Sequence, residues 1–510
     1  MIVHGRDLDH DLELEVDAVV IGTGAGGGMA LRELARAGLK VIALEEGGHH
    51  TPRDFTQRED EMIPLLFQDA GARTTRDLAI RVLQGRGVGG STIHNTNLCK
   101  RTPDDVLDLW RDRYDVVAAG PAEMAADFDR VERDLSVTEI PAALRNPNNE
   151  ALFVGARELG WRAGPLKHNR VGCQLSGFCE LGCAYDAKQN VAKVLVPQAE
   201  AAGATVYSDV EVLRIVHEKG RAKGVLAVAH DGFGGPRAWI RVTARVVILA
   251  ASAVGSAALA IKSDLPDPFS QIGRGLRLHP GAVVAGKFDR VMNSQYGIPQ
   301  SYECTEHLSF EEGSDSRVWI VPAFAHPIGT AAMLPGFGKE HMRAMRAYGN
   351  LAVLTAMVHD ETAGRVTVDG NERPQIDYAM NASDRAQLAK GLIACARLLF
   401  AGGASEVVIP AIPPVRLKSA SELDALASRV GPEFVRPHGV PVTAVHPMGT
   451  MRMGEDPKVA VVDSRGEHHF VKGLFVADGS LFPTSLGGPP QISIYTFAMR
   501  VARAAIEVTK

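Results

Sequence analysis

Two groups of residues in this 510-residue chain have types and spacings suited to chemistry. The first is Gly22-Thr23-Gly24-Ala25-Gly26-Gly27, a G-x-G-x-x-G, with Glu45 at the end of the next β-rich run. Glycines at those places let a backbone turn tightly and approach a pyrophosphate, which the N-terminus of a following helix attracts. Glu45 can accept hydrogen bonds from an adenosine ribose, which argues against NADP and leaves NAD and FAD open. The second group is Cys173, Cys179 and Cys183, interrupted by Gly177 and Gly182. Three thiolates converging from a looped segment would suit a [3Fe-4S] cluster, although common clusters use four cysteines. A structural zinc with His168 as a further ligand and reduced structural thiols are the alternatives. Cys99, Cys304 and Cys395 are scattered and read as buried apolar thiols. With 17 histidines in the chain, a histidine alone means little.

Further segments supply a context. They are Gly85-Arg86-Gly87-Val88-Gly89-Gly90-Ser91-Thr92-Ile93-His94-Asn95, then residues 246–256, then Leu278-His279-Pro280. Near the end come Val445-His446-Pro447-Met448-Gly449-Thr450 and Gly473-Leu474-Phe475-Val476-Ala477-Asp478-Gly479-Ser480. In that order these segments resemble the motifs of the glucose–methanol–choline (GMC) family of oxidoreductases, from about Val16 to the C-terminus. The departures are leucine at Leu278, where family members have aspartate, and a degraded motif at 246–256.

The resemblance selects FAD over NAD. It implies that Gly89, Gly90, Ser91, His94 and Asn95 run under the flavin, beside the cradle of Gly22, Gly24 and Gly27. It places the adenine on the backbone of a segment ending at Val212, and Asp478 and Gly479 in the loop that closes over the flavin. It makes His446 the base for an alcohol: a neutral imidazole can take a hydroxyl proton at ordinary pH. Family members add a His or Asn some forty residues on; Pro489 stands there, and proline has no side-chain hydrogen-bonding group. Gln491, two residues later, is the nearest group that can reach the alcohol oxygen in its stead. His94 matches a position at which relatives resembling choline oxidase and pyranose oxidase bond covalently to the flavin, the alternative being a histidine packed near the ring.

The cysteine spacing is similar to that of cluster-bearing bacterial glucose dehydrogenases. It also resembles long-chain alcohol oxidases, in which no cluster is implied and which often have a further cysteine where Ser176 stands. A cluster would pass electrons singly to a cytochrome or quinone; without one, oxygen or a soluble acceptor takes over. The cysteine segment and residues 480–487 resemble the long-chain alcohol and sterol oxidase branches, which implies a bulky apolar alcohol. The reading is oxidation of an alcohol to an aldehyde or ketone by hydride transfer to flavin N5. Its rivals are a non-redox lyase on the same scaffold and a flavin-binding protein without catalysis.

The elements that must position these residues are legible. Residues 16–21 read as a strand, Leu31, Leu34, Ala35 and Gly38 as one face of a helix, and residues 40–44 as a second strand. Residues 475–479 read as a strand ending in Asp-Gly, and residues 491–508 as a helix. The expected fold is α/β: a Rossmann-like FAD-binding domain of the glutathione-reductase type with a second, α+β substrate domain on an antiparallel sheet. The division runs as FAD-binding residues 12–135, an insertion with the cysteines at 136–185, FAD-binding 186–282, substrate-binding 283–440 and FAD-binding 441–510. Within the substrate domain, residues 365–371 read as a strand entering a hairpin, and residues 383–400 as a helix capped by Ser383.

Composition bounds the rest. A formal net charge of −5 offers no case for a nucleic-acid or anionic-membrane partner. The first residues lack a basic region followed by an apolar run, so no secretory signal is read. Residues 318–338 and 479–499 lack charged side chains, but each carries three prolines, which suits no membrane span. The expectation is a cytoplasmic protein.

Overall fold

The computed structural model describes residues 1–232, 234–311 and 313–509. Its first sheet follows from Val- and Ile-rich runs such as Leu12–Ile21 and Val41–Leu44, whose residues 18–21 and 41–44 are all buried. Strands covered on both faces pair in parallel beneath crossover helices. The order is Ile2–His4, Thr205–Ser208, Val41–Leu44, Leu12–Ile21, Pro236–Leu249, Arg221–His230 and Val210–Glu218. Pairings are parallel as far as Pro236–Leu249 and then antiparallel through Arg221–His230 to Val210–Glu218. The far end of Pro236–Leu249 pairs in parallel with Leu474–Val476, so residues more than two hundred positions apart complete one sheet. Helix Ala25–Arg36 packs against both Val191–Ala201 and the C-terminal helix Gln491–Thr509.

The second sheet is antiparallel along its main path. Gly281–Lys287 pairs with Leu351–Val358, which pairs with Val318–Pro322, while Glu406–Ile409 lies on the other side of Gly281–Lys287. Helix Ala382–Ala401 covers one face. Three strands from outside residues 283–440, namely Ile80–Val82, Ala163–Pro165 and Val442–Ala444, also join this sheet. The hairpin read at 365–371 forms as Gly364–Val368 against Pro374–Asp377. The cap of the long helix differs from the expectation. Asn381 accepts from the Asp384 amide at 2.7 Å, and Ser383, inside the first turn, instead accepts from Arg317 at 2.7 Å. Asn outcompetes Ser here because its side-chain oxygen reaches the third helical amide from the extended backbone at Asn381.

Close packing around the turn Gly22–Ala25, against the ends of the neighbouring strands of the first sheet, fixes the cradle. A Cβ on Gly26 would lie 1.5 Å from the Ala477 carbonyl oxygen, and one on Gly27 would lie 2.0 Å from that of Gly22. Gly22 itself has φ +89°, a conformation glycine adopts without strain. Gly26→Ala is therefore expected to force helix and strand apart, costing roughly 1–3 kcal/mol or more. A thermal melt of the variant with its melting temperature unchanged would contradict this packing.

Candidate active site

One cavity of about 800 Å³ runs between the two sheets. Its first-sheet end is lined by Gly22, Gly24, Glu45, Gly90, Ser91, His94, Asn95, Val212, Asp478 and Gly479. Those residues come from the ends of four separated strands and from the loop at 85–95, so the motifs far apart in sequence share one wall. Gly27 and Gly89 are not in that wall. Gly27 serves the helix–strand packing described above, and the Gly89 amide donates to Thr23 Oγ1 at 3.1 Å, holding the two glycine turns together. Gly24 and Gly90 approach closely, a Cβ on Gly90 lying 2.8 Å from Gly24 Cα. This is a backbone-lined groove at a helix N-terminus, which fits a dinucleotide pyrophosphate.

Glu45 is buried at the end of its strand. Its Oε2 accepts from Thr23 N at 2.9 Å and Thr23 Oγ1 at 2.7 Å, and its Oε1 from Gly47 N and Gly87 N at 3.1 Å each. Burial and the neighbouring Glu46 nevertheless push its carboxyl up to about 7. Asp478 accepts from Ser480 N at 2.8 Å and Ser256 Oγ at 2.5 Å, which fixes the loop after the last strand.

His446 lines the other part of the cavity, and its Nδ1 lies 2.8 Å from Nδ1 of His279. His279 is fully buried, with its ring near-parallel to Trp319 and its backbone amide bonded to Asp360. Asp360 also accepts from the Leu278 amide and from Tyr378, so a carboxylate from elsewhere in the chain holds the Leu278-His279 turn. Burial holds His446 down to about 3 and His279 well below the ordinary imidazole range, so both rings are neutral near pH 7. With Nδ1 engaged, Nε2 is the His446 nitrogen left for a substrate. His279 was not singled out as catalytic from sequence; its place in Leu278-His279-Pro280 was the available signal.

Pro489 and Gln491 both line the cavity. The Gln491 amide is committed to the protein: Oε1 accepts from Asn95 at 3.0 Å, and Nε2 donates to the Leu98 carbonyl. His94 is buried against Phe67, ring centroids 3.9 Å apart, and its Nε2 has no hydrogen-bond partner among the described residues. Burial, then nearby Lys188, hold it neutral, down to about 3. Lys188 gave no sequence signal. It is buried, and its ammonium donates to the carbonyls of Ile93 and Cys179 at 2.8 Å and of Asn95 at 2.5 Å, bracketing His94.

The cysteine trio does not form the expected ligand set. The three thiols are close enough for the other two to raise Cys179, but among the described residues no three His, Cys, Asp or Glu side chains converge to hold a metal ion, His168 included. The physical reason lies in the loop. Its backbone is left-handed at Gly172, Leu175, Gly177 and Gly182, which sets the direction of each thiol. The Cys183 sulfur accepts from the Ala187 amide at 3.3 Å, and burial pushes the Cys179 thiol up to about 11.

The chain is similar to known proteins along most of its length. Two family models, both described as GMC oxidoreductase, match residues 63–281 and 360–498. An uncharacterized GMC-type oxidoreductase of Mycobacterium tuberculosis is 36% identical over 492 residues, covering 95% of this chain and 75% of its own. A long-chain-alcohol oxidase of Arabidopsis thaliana is 28% identical over 524 residues, covering 98% of this chain and 69% of its own. Among solved structures, pyridoxine 4-oxidase from Mesorbium loti superposes with a TM-score of 0.72 at 19% identity, covering 96% of this chain and 98% of that one.

Protein purified without oxygen is expected to carry negligible iron and acid-labile sulfide per flavin. All three thiols of the 173–183 segment should titrate after denaturation. Near three irons per flavin, with a matching paramagnetic signal after oxidation, would overturn the thiol assignment.

Proposed function

The chain belongs to the GMC oxidoreductase family of FAD flavoproteins, and from that premise we propose that it oxidises the CH–OH group of a bulky or apolar alcohol to an aldehyde or ketone. The observation that carries the reading is His446, coupled to the buried His279 and lining one cavity with the backbone cradle and with an apolar wall of the second sheet. That wall includes Val283, Trp319, Phe324, Val353 and Met357, which suit an apolar chain better than a sugar.

When bound, FAD supplies the hydride acceptor at its N5. The protein's part is to orient the alcohol and take its proton. For His446 Nε2 to be the acceptor, the His446 proton must sit on Nδ1 and be donated to Nδ1 of His279. His279 thus selects the tautomer and steadies the imidazolium that forms, in the way a second group orients a catalytic histidine elsewhere. Gln491 takes a positioning role, holding Asn95, because neither end of its amide is free. Without a convergent thiol set, oxygen or a soluble acceptor is the partner that receives the electrons.

His94 is the side chain we assign to a covalent tether. It lines the first-sheet part of the cavity, its Nε2 has no hydrogen-bond partner among the described residues, and burial keeps the lone pair available.

His446→Ala is expected to retain FAD but to lose roughly a hundredfold or more in flavin reduction by alcohol. Gln491→Ala should lose less. Because the neutral form of a histidine held down to about 3 persists through mild acid, wild-type flavin reduction should be independent of pH above about 5 and fall only below it. Rapid anaerobic mixing with an alcohol panel measures all three, and near-normal reduction in His446→Ala would remove that base. If no alcohol bleaches the flavin, cyanide release from a hydroxynitrile tests the lyase instead.

Acid precipitation tests the tether. Yellow colour is expected in the pellet of the wild type and not in that of His94→Ala; a colourless wild-type pellet would make His94 a non-covalent neighbour.

A further inference from the structure

The strap over the cavity has two unlike faces. Helix Pro327–Met333, the turn after it and helix Lys339–Arg346 cross the second-sheet end, and Thr330, Met333, Leu334 and Pro335 line the cavity from above. The strap is pinned at both ends. Glu59 accepts from the Ile328 and Gly329 amides, and Tyr348 donates to the Ala325 carbonyl.

The outer face exposes large apolar side chains. Phe337 is 95% exposed, Met342 58% and Ile328 53%. Phe337 stands between Gly336 and Gly338 on a turn, so its ring projects singly instead of completing a flat patch. Interleaved with these are the exposed side chains of Lys339, Arg343 and Arg346. The strap's one carboxylate, Glu340, pairs with Arg416 at 3.2 Å. Three cations against one paired carboxylate make this face locally positive, although the whole chain carries −5. A net charge averages over the surface and says nothing of a patch a few residues wide.

We infer that this strap docks the protein on an anionic lipid surface, with Phe337, Met342 and Ile328 entering the acyl boundary and Lys339, Arg343 and Arg346 meeting the headgroups. Projecting apolar side chains ringed by cations match that medium, where each cation near the surface adds a favourable increment. A protein partner would ask instead for a broad complementary face. The cavity lies directly beneath, so an apolar alcohol dissolved in lipid could pass under the strap without crossing water. The use of the surface rests on the apolar-alcohol reading; the docking itself does not.

The test is co-sedimentation of the FAD-loaded protein with vesicles of phosphatidylcholine alone or with roughly one-third phosphatidylserine. The expected result is binding to the anionic vesicles, several-fold less to the neutral ones, and release by about 1 M salt. The double variants Phe337→Ser/Met342→Ser and Arg343→Glu/Arg346→Glu should each weaken binding roughly tenfold or more. Both should keep their flavin absorbance and their rate on any short water-soluble alcohol that the wild type oxidises. No binding to either vesicle, or binding unchanged in both variants, overturns the proposal and leaves the face to a protein partner. Vesicle binding in a protein whose flavin no alcohol bleaches would uphold the docking and sink the alcohol reading alone.

Discussion

A single buried carboxyl group organises the glycine-lined end of the cavity. Glu45 accepts four hydrogen bonds from Thr23, Gly47 and Gly87, and Thr23 in turn accepts from Gly89. The turn before the first helix, the end of the second strand and the glycine loop at 85–90 are thereby tied to one point. Without Glu45, buried amides would lie unpaired at the place where the backbone must approach a ligand most closely, each at a cost of about 1–3 kcal/mol. The rest of the site inherits that geometry, since Gly24 meets Gly90 and the loop carrying His94 and Asn95 continues from it.

The reactive end is assembled on the same plan from more distant pieces. His446 follows the strand Val442–Ala444, while His279 precedes Gly281–Lys287, and the two strands pair through Gly281 and Thr443. Strand pairing brings the imidazoles within hydrogen-bond distance, and Asp360 fixes the turn that aims one of them. Lys188 does the corresponding task for the loop that carries His94 by gathering three carbonyls around a buried ammonium. In both places a charged group from elsewhere in the chain holds backbone, and the backbone holds the chemistry.

What the sequence made legible was local. The G-x-G-x-x-G, its strand and helix, Glu45 and the His446 segment are contiguous patterns whose periodicity or glycine content states their geometry. What it hid was set by contacts between remote residues. Nothing in Lys188 or Asp360 distinguishes them from surface charges until the fold buries them. Ser383 and Asn381 are both good caps, and only the backbone at Asn381 decides between them. The cysteine spacing allowed a ligand set, but the path of that loop, with a left-handed residue at Leu175 that its type does not announce, decides where each thiol lies. Gln491 was legible as a polar group at the right place, and its prior engagement with Asn95 and Leu98 was not.

The contact between Gly26 and the Ala477 carbonyl has a consequence for how the protein is made. Helix Ala25–Arg36 packs against Gln491–Thr509, and Pro236–Leu249 pairs with Leu474–Val476, each across more than two hundred residues. Long-range parallel pairing of this kind is slow, because the loop between the partners must close before any contact rewards it. Until those contacts close, the folding chain carries an open sheet edge and an unfinished glycine turn. Displacing residues 474–509 would therefore remove a wall of the cavity, since Asp478, Gly479, Gln491 and Ile494 line it.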